Sequence, residues 1–267
     1  MRFGAAGGLG AAIVLTVIVA AAFAPWLSPY DPDALDVMAR FAPPGTAHWL
    51  GTDQLGRDLL SRLLHGATVA VTVSGSAVLL ALAAGTALGV LAAIAPSGLE
   101  VTVVAGLNVV SAFPSLVLAL AVVAVFGPSD TVLVAMIALT LVPQFGKVAW
   151  AQTRALRQSP FLEAERVLGA SPARIVLRHV LPNIAGPLIV LASMEIPAAI
   201  TIEAGLSFIG LGVRPPLSSW GTLIYDGYAY LSDSAGPVVV ASLALAVATL
   251  GFTLFGEALQ RWADPRR

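Results

Sequence analysis

Long apolar stretches alternate with short polar ones along this chain, and that alternation dominates its sequence. Leu9–Leu27, Thr68–Ala95, Val101–Phe126, Thr131–Trp150, Ile184–Leu206 and Pro237–Leu259 are each long enough, as helices, to cross a hydrocarbon core of about 30 Å. They predict an all-α integral membrane protein with six transmembrane helices. The first stretch has a rival reading as a signal peptide, since Arg2 precedes it and Ala20-x-Ala22 resembles a cleavage site. Ala81, Gly85 and Gly89 stand four residues apart in the second stretch, a spacing that lets helix backbones approach closely in lipid. Asn108 and Pro114 lie inside the third, and Pro143, Gln144 and Lys147 near the end of the fourth. The prolines of the third to fifth stretches read as packing kinks rather than gates.

Two polar stretches stand out between the apolar ones. Ser28–Ala67 is Pro-rich and holds Asp31, Asp33, Asp36 and Arg40, followed by Gly51-Thr52-Asp53-Gln54-Leu55-Gly56-Arg57-Asp58. Leu55, Leu59, Leu60, Leu63 and Leu64 predict an interfacial amphipathic helix there. Asp53, Arg57, Asp58 and Arg62 read as a local ion-pair and capping network in preference to a substrate contact. The second stretch, Phe161–Asn183, is the longest basic-rich segment of the chain. Phe161, Ala164, Val167 and Leu168 fall at helical spacing and predict a short amphipathic helix. Gly169 is placed to stop it, because a left-handed residue there costs glycine nothing sterically. Ser171-Pro172 predicts the N-cap and first-turn proline of a second helix, which Pro182 is expected to end or kink. The expected product is a helix–turn–helix elbow at the membrane surface, shaped to be gripped by another protein.

Composition sharpens this picture. Of 267 residues, 58% are hydrophobic and 11% charged, against roughly 25% charged in soluble domains. The net charge of −1 implies no acidic or basic partner, nucleic acid included. With no cysteine, thiol catalysis and thiolate metal sites are excluded. No GxxxxGK[ST] string occurs, so the chain is not expected to bind ATP by a P-loop. His48, His65 and His179 lack metal-site spacing, and His48 and His65 are expected at the surface. No catalytic constellation appears, and the expectation is a chain that is not an enzyme and carries no cofactor.

Charge placement gives an orientation. On the elbow's side lie Arg2, Lys147, Arg154, Arg157, Arg166, Arg174, Arg178, Arg261, Arg266 and Arg267, ten of the 14 Lys and Arg residues. Arg40, Arg57, Arg62 and Arg214 lie on the other. The positive-inside rule then makes both termini and the elbow cytoplasmic. Trp220, Tyr225, Tyr228 and Tyr230 are expected at a membrane–water interface. Glu195 and Glu203 lie eight residues apart in the fifth span. Ionised carboxylates in a bilayer are costly, so both are expected to face a cavity or a partner helix. They either line a translocation path or pack helices as hydrogen-bonded groups.

The residues carry a resemblance. Glu163-Ala164, then Gly169, then His179-x-Leu181-Pro182 resembles the EAA loop of bacterial ABC importer permeases. Glu165 replaces the third alanine of that pattern, and His179 stands where it has isoleucine; a histidine there looks like the dipeptide/oligopeptide/nickel branch. Leu50–Asp58 with Ser61, Arg62 and Gly66 is similar to that branch's LGTDxxGRDxxSRxxxG signature. Leu206–Gly212 with Pro215, Pro216, Trp220 and Gly221 is similar to its LSFLGLGxxPPxxxWG run. Together these cover most of residues 48–262.

The resemblance implies the type I ABC importer permease fold, with residues 1–67 an N-terminal helix plus extracytoplasmic segment and 68–262 the permease domain, its EAA loop at 161–183. It implies a multi-pass inner-membrane subunit working with a homologous second permease, one or two cytoplasmic ATPase subunits that carry the ATP and Mg, and an extracytoplasmic substrate-binding protein. Phe161, Glu163, Ala164, Glu165, Gly169, Ala170 and Arg174 would contact the ATPase, which would move the elbow as a rigid lever. Peptides are the implied cargo, with nickel or haem-like ligands as the alternative. A secondary transporter would be expected to show inverted repeats and broken helices, and no close repeat is present.

Overall fold

Prolines and glycines set where each apolar stretch begins, breaks and touches its neighbours. The computed structural model describes residues 4–127, 129–213 and 217–263. Arg2, Arg214, Pro215, Pro216, Arg266 and Arg267, invoked above, lie outside the described residues. Helix α1 (Ala5–Ala22) gives way at Phe23 to the short α2 (Ala24–Leu27). Pro25 has no N–H to give the Ala21 carbonyl, which instead accepts from Thr68 Oγ1 at 2.8 Å. Helix α3 (Leu59–Ile94) runs 36 residues without interruption. The expected amphipathic helix is therefore the first turns of this long helix, with Asp58 as its N-cap accepting from Ser61 N at 2.8 Å.

The expected third span is not straight. Helices α4 (Ser97–Ala112) and α5 (Ser115–Phe126) meet at 96°. Pro114 forces this, because the residue before a proline avoids the helical region, and Phe113 is extended at φ −82°, ψ 130°. Helix α6 (Asp130–Arg157) absorbs Pro143 without breaking. There follow α7 (Pro160–Val167), α8 (Pro172–Ile175), a wide π turn over Val176–Val180, and α9 (Leu181–Phe208). Helices α10 (Trp220–Tyr228) and α11 (Gly236–Ala263) complete the order. Among the described residues, five segments are long and apolar enough to cross a membrane: α1, α3, α6, the continuous run Pro172–Phe208, and α11. The bent α4–α5 pair makes the sixth if taken as one span.

Small residues hold the bundle together. A Cβ on Gly85 would lie 2.6 Å from Phe145 Cβ, and one on Gly89 would overlap the Gly146 carbonyl. These contacts put the backbones of α3 and α6 against each other along a core that includes Ala81, Ile137, Leu141, Phe145 and Ala149. Helices α1 and α11 approach in the same way through Gly10 and Gly251. Trp220, expected at the membrane surface, is instead 3% exposed; it packs on Gly66 and donates Nε1–H to the Leu63 carbonyl at 3.0 Å.

The polar stretch before α3 is a compact, hydrogen-bonded unit. Asp53 Oδ1 accepts from Leu55 N and Arg57 N, and Asp53 N donates to the Arg57 carbonyl. Gly51 and Gly56 take positive φ, 81° and 74°, with no room for a Cβ against the Ala42 and Asp36 carbonyls. His48 and His65, expected at the surface, are part-buried. His48 Nδ1 lies 2.9 Å from Asp58 Oδ1, and His65 Nδ1 2.9 Å from the Ser61 carbonyl.

Overpacking a core by a few methylenes costs about 1–3 kcal/mol. Gly89→Leu, which drives its side chain into the α6 backbone, is thus expected to lower the thermal midpoint of the detergent-purified protein. Gly75→Leu, with open space around its Cβ position, is the control. Equal midpoints would overturn the contact account of the α3–α6 seam.

Candidate coupling elbow

The elbow is built where α6 runs past the end of α3. Arg157 Nη1 donates to the Ala93 carbonyl at 3.0 Å, clasping the last turn of α3. Glu100 Oε1 accepts from Trp150 Nε1 at 2.9 Å and from Arg154 Nη1 at 3.0 Å. It is the one acidic residue between Asp58 and Asp130. Ser159 and Pro160 then turn the chain, proline at the first helical position losing no needed hydrogen bond.

Helix α7 is fixed to the body by one deeply buried side chain, Leu162, 1% exposed. Its end is closed by its own backbone: Ala170 N–H donates to the Glu165 carbonyl and Gly169 N–H to that of Arg166, both at 3.0 Å. This Schellman closure needs a left-handed residue at Gly169, whose φ is 81°. The expected helix stop is thus in place. Ser171 Oγ accepts from Arg174 N at 3.3 Å with Pro172 next, the expected cap.

Pro182 does not end the second helix. The preceding turn widens so that Leu181 N–H reaches back to the Val176 carbonyl. Asn183 Nδ2 donates to the His179 carbonyl at 2.6 Å. Extra turn width and a side-chain donor carry the helix through the missing N–H, giving an unbroken run from Pro172 to Phe208.

The apolar stripe of α7 faces away from the chain. Val167 is 87% exposed, Leu168 81% and Phe161 44%, while Ala164 is also exposed. The sequence pattern marks these as an apolar face but omits Leu162, which alone secures the helix to the core. Glu163, Arg166, Gly169 and Arg174 are exposed, and Ala170 is half-buried. Glu165 Oε1 lies 3.6 Å from His179 Nε2, and Phe161 meets the His179 ring edge-on at 6.3 Å. His179 therefore links the two arms of the elbow, a role its position in the motif did not reveal. Glu163 faces a polar cleft of about 360 Å³ bordered by Glu100, Arg154, Arg157 and Arg166.

The two glutamates of α9 part company. Glu203 is 1% exposed and accepts from Ser207 Oγ at 2.7 Å, beside the close approach of Gly221 to the Ala204 carbonyl. Glu195 is half-buried. The structure does not bring these residues together with the elbow.

A bundle of membrane-length helices bearing one protruding, internally closed elbow defines an integral membrane protein. Residues 85–267 match the family described as binding-protein-dependent transport system inner membrane component. Residues 7–44 match the N-terminal transmembrane domain of oligopeptide transport permease C. The chain is 34% identical to a probable D,D-dipeptide transport system permease of Escherichia coli, over 96% of this chain and 86% of that one. It is 36% identical to a di/tripeptide transport system permease of Pseudomonas aeruginosa, over 98% and 88%. A glutathione transport system permease of Pectobacterium atrosepticum is 34% identical over 95% and 84%. Among solved structures, the inward-facing MetNI methionine ABC transporter matches with a TM-score of 0.61 at 20% identity, over 76% of this chain and 96% of that one.

The chain belongs to the binding-protein-dependent transport inner membrane component family. It is a multi-pass translocating subunit of an ABC importer, with ATP hydrolysis assigned to separate subunits.

Truncating a buried leucine costs about 2–5 kcal/mol. Leu162→Ala is therefore expected to detach α7 from the core and raise amide hydrogen exchange across residues 160–168, while α3 and α6 keep their protection. Unchanged exchange in α7 would show that its attachment lies elsewhere.

Proposed function

We propose that this chain is one of two homologous permease subunits of a peptide importer and that α7 is its coupling helix to the ATPase. The observation that carries this is the outward-facing stripe of Phe161, Val167 and Leu168 on a helix that buries one side chain, Leu162, in the core. An exposed apolar face on a self-closed helix is a docking surface for a partner. Around it Glu163, Glu165, Ala164, Gly169, Ala170 and Arg174 supply the polar rim and the turn. Peptide cargo is supported by the names of three relatives, a probable D,D-dipeptide, a di/tripeptide and a glutathione transport system permease.

In this reading the elbow, both termini and the basic ends of α6 and α11 face the cytoplasm, following the charge asymmetry. A second permease completes the pathway, one or two ATPase subunits seat on the elbows, and a binding protein delivers cargo to the far side. Residues 1–67 supply the N-terminal transmembrane helix and the extracytoplasmic segment, and 68–262 the permease domain, with α3 running across the boundary between them. ATP-driven closure of the ATPases moves α7 as a lever. The lever has two arms: α6, clasped to α3, and the continuous Pro172–Phe208 helix, which carries Glu195 half-buried towards the partner permease or the pathway. Glu203 serves the joint between α9 and α10.

Two measurements test this. The double substitution Val167→Asp, Leu168→Asp is expected to leave the chain inserted, but to lose the ATPase on purification and reduce uptake of a labelled dipeptide to background. Wild-type uptake with the ATPase retained would refute α7 as the coupling element. Cysteines placed singly at Val167 and Met38, 87% and 95% exposed in a cysteine-free chain, are expected to label from opposite sides of the membrane. Labelling of both from outside would overturn the orientation.

A further inference from the structure

The elbow sits at the Ile94 end of α3; at the Leu59 end, about 50 Å away along a 36-residue helix, lies a cleft that the coupling mechanism does not use. It has a volume of about 240 Å³ and is walled in part by Arg57, Arg62, Asp226, Asp33, Leu217 and Tyr225. That volume holds about eight waters, the size of one or two amino-acid residues and not of a folded chain.

The two arginines are held unequally by their two carboxylates. Asp53, with its side chain 1% exposed, takes Arg57 Nε at 2.7 Å and Arg62 Nη1 at 2.6 Å. Its other oxygen accepts two backbone N–H groups. Asp53 is a fixed structural anion. Asp226 is held differently: a single oxygen, Oδ2, lies 3.4 Å from Arg57 Nη2 and 3.5 Å from Arg62 Nη2, and the side chain is 30% exposed. Contacts of that length exceed good N–H···O geometry, which ends near about 3.2 Å. Two guanidinium groups thus aim donors at one position that Asp226 fills loosely. Converging arginine donors are suited to a carboxylate. Of the three groups Arg57, Arg62 and Asp53, one positive charge is left unmatched whenever Asp226 swings away. Asp33, exposed on another wall, offers a counter-charge to an ammonium group.

We infer that this cleft is a carboxylate-binding subsite in which the terminal carboxylate of a short peptide takes the place of Asp226 on Arg57 and Arg62. The inference rests on the peptide-importer reading above. Leu217 and Tyr225 give an apolar and aromatic wall for the side chain of the residue that bears the carboxylate. The exchange swaps one anion for another on the same pair of arginines, so the buried Asp53 contacts and the fold of the surrounding turn stay intact.

The test uses the complete transporter, this chain with its partner permease and ATPases, in lipid nanodiscs without the binding protein. Calorimetry measures binding of alanyl-alanine and of its C-terminal amide. The free acid is expected to bind about tenfold more tightly than the amide, the effect of one charge-assisted contact. Asp226→Asn, which removes the competing anion, is expected to tighten binding of the free acid by about tenfold and leave the amide unchanged. Arg57→Gln is expected to abolish the acid–amide difference. The Asp226→Asn arm guards against misfolding, since a damaged protein does not gain affinity for one ligand alone. Equal binding of acid and amide, or an unchanged affinity in Asp226→Asn, would overturn the subsite. Uptake of alanyl-alanine by the wild-type complex with its binding protein is measured alongside: uptake with no acid preference at the cleft sinks the subsite only, whereas absence of uptake of any short peptide sinks the reading on which it rests.

Discussion

Direct backbone contact between α3 and α6 is the constraint from which the rest of the structure follows. Within a bilayer the hydrophobic effect does not press helices together, because lipid tails are as apolar as leucine. What remains is close packing, and Gly85, Gly89 and Gly146 allow it by bringing two helix backbones into van der Waals contact. That seam runs through the larger of two apolar clusters, and α3 carries on from it into the second, where α1, α10 and α11 pack. Helix α6 leaves it at Arg157 to enter the elbow, and α3 leaves it at the other end to meet the Asp53–Arg57–Arg62 cluster.

Polar groups then finish what the glycines start. At the elbow end Glu100 gathers Trp150 and Arg154, and Arg157 caps the last turn of α3. At the far end Arg62 donates from Nε to Ser218 Oγ at 3.2 Å, tying α3 to the entrance of α10. Helix α10 is fixed in turn by a reciprocal Ser219–Thr222 capping box and by Trp220 pressed on Gly66. The apolar middle supplies contact area, and directional bonds at the two ends supply orientation.

Much of this was legible in the sequence, and the reasons differ by element. Spans, the glycine seam, the Gly169 stop and the Ser171-Pro172 cap are local signals: a dihedral, a missing donor or a four-residue spacing decides each of them. The ion pairs of the GTDQLGRD turn were legible for the same reason. Failures came where a distant partner decided the outcome. Trp220 has the composition of an interface anchor but finds Gly66 and the Leu63 carbonyl. His48 meets Asp58 ten residues on, and His65, besides the Ser61 carbonyl of its own helix, meets Ser28 Oγ 37 residues back. Helix α7 shows an apolar periodicity, but periodicity gives a face and not the direction in which the face points. Leu162 and the stripe of Phe161, Val167 and Leu168 lie on different sides of one turn of helix, and only the fold says which side is core. Pro114 and Pro182 make the same point: one breaks its helix at 96°, the other is carried through by a wider turn and Asn183.

That wider turn has a consequence for the geometry of everything beyond it. A π turn accommodates one residue more than an α turn, and one residue of α-helix corresponds to a rotation of about 100° about the axis. The extra residue is therefore absorbed within Val176–Val180, and the azimuth of α9 relative to the elbow stays as an α turn would set it. A one-residue deletion there would let the turn close as an α turn and leave Glu195 on its own side of the bundle, whereas the same deletion further along α9 would turn every residue beyond it by about 100°. The joint is the one place on this helix where the residue count has slack.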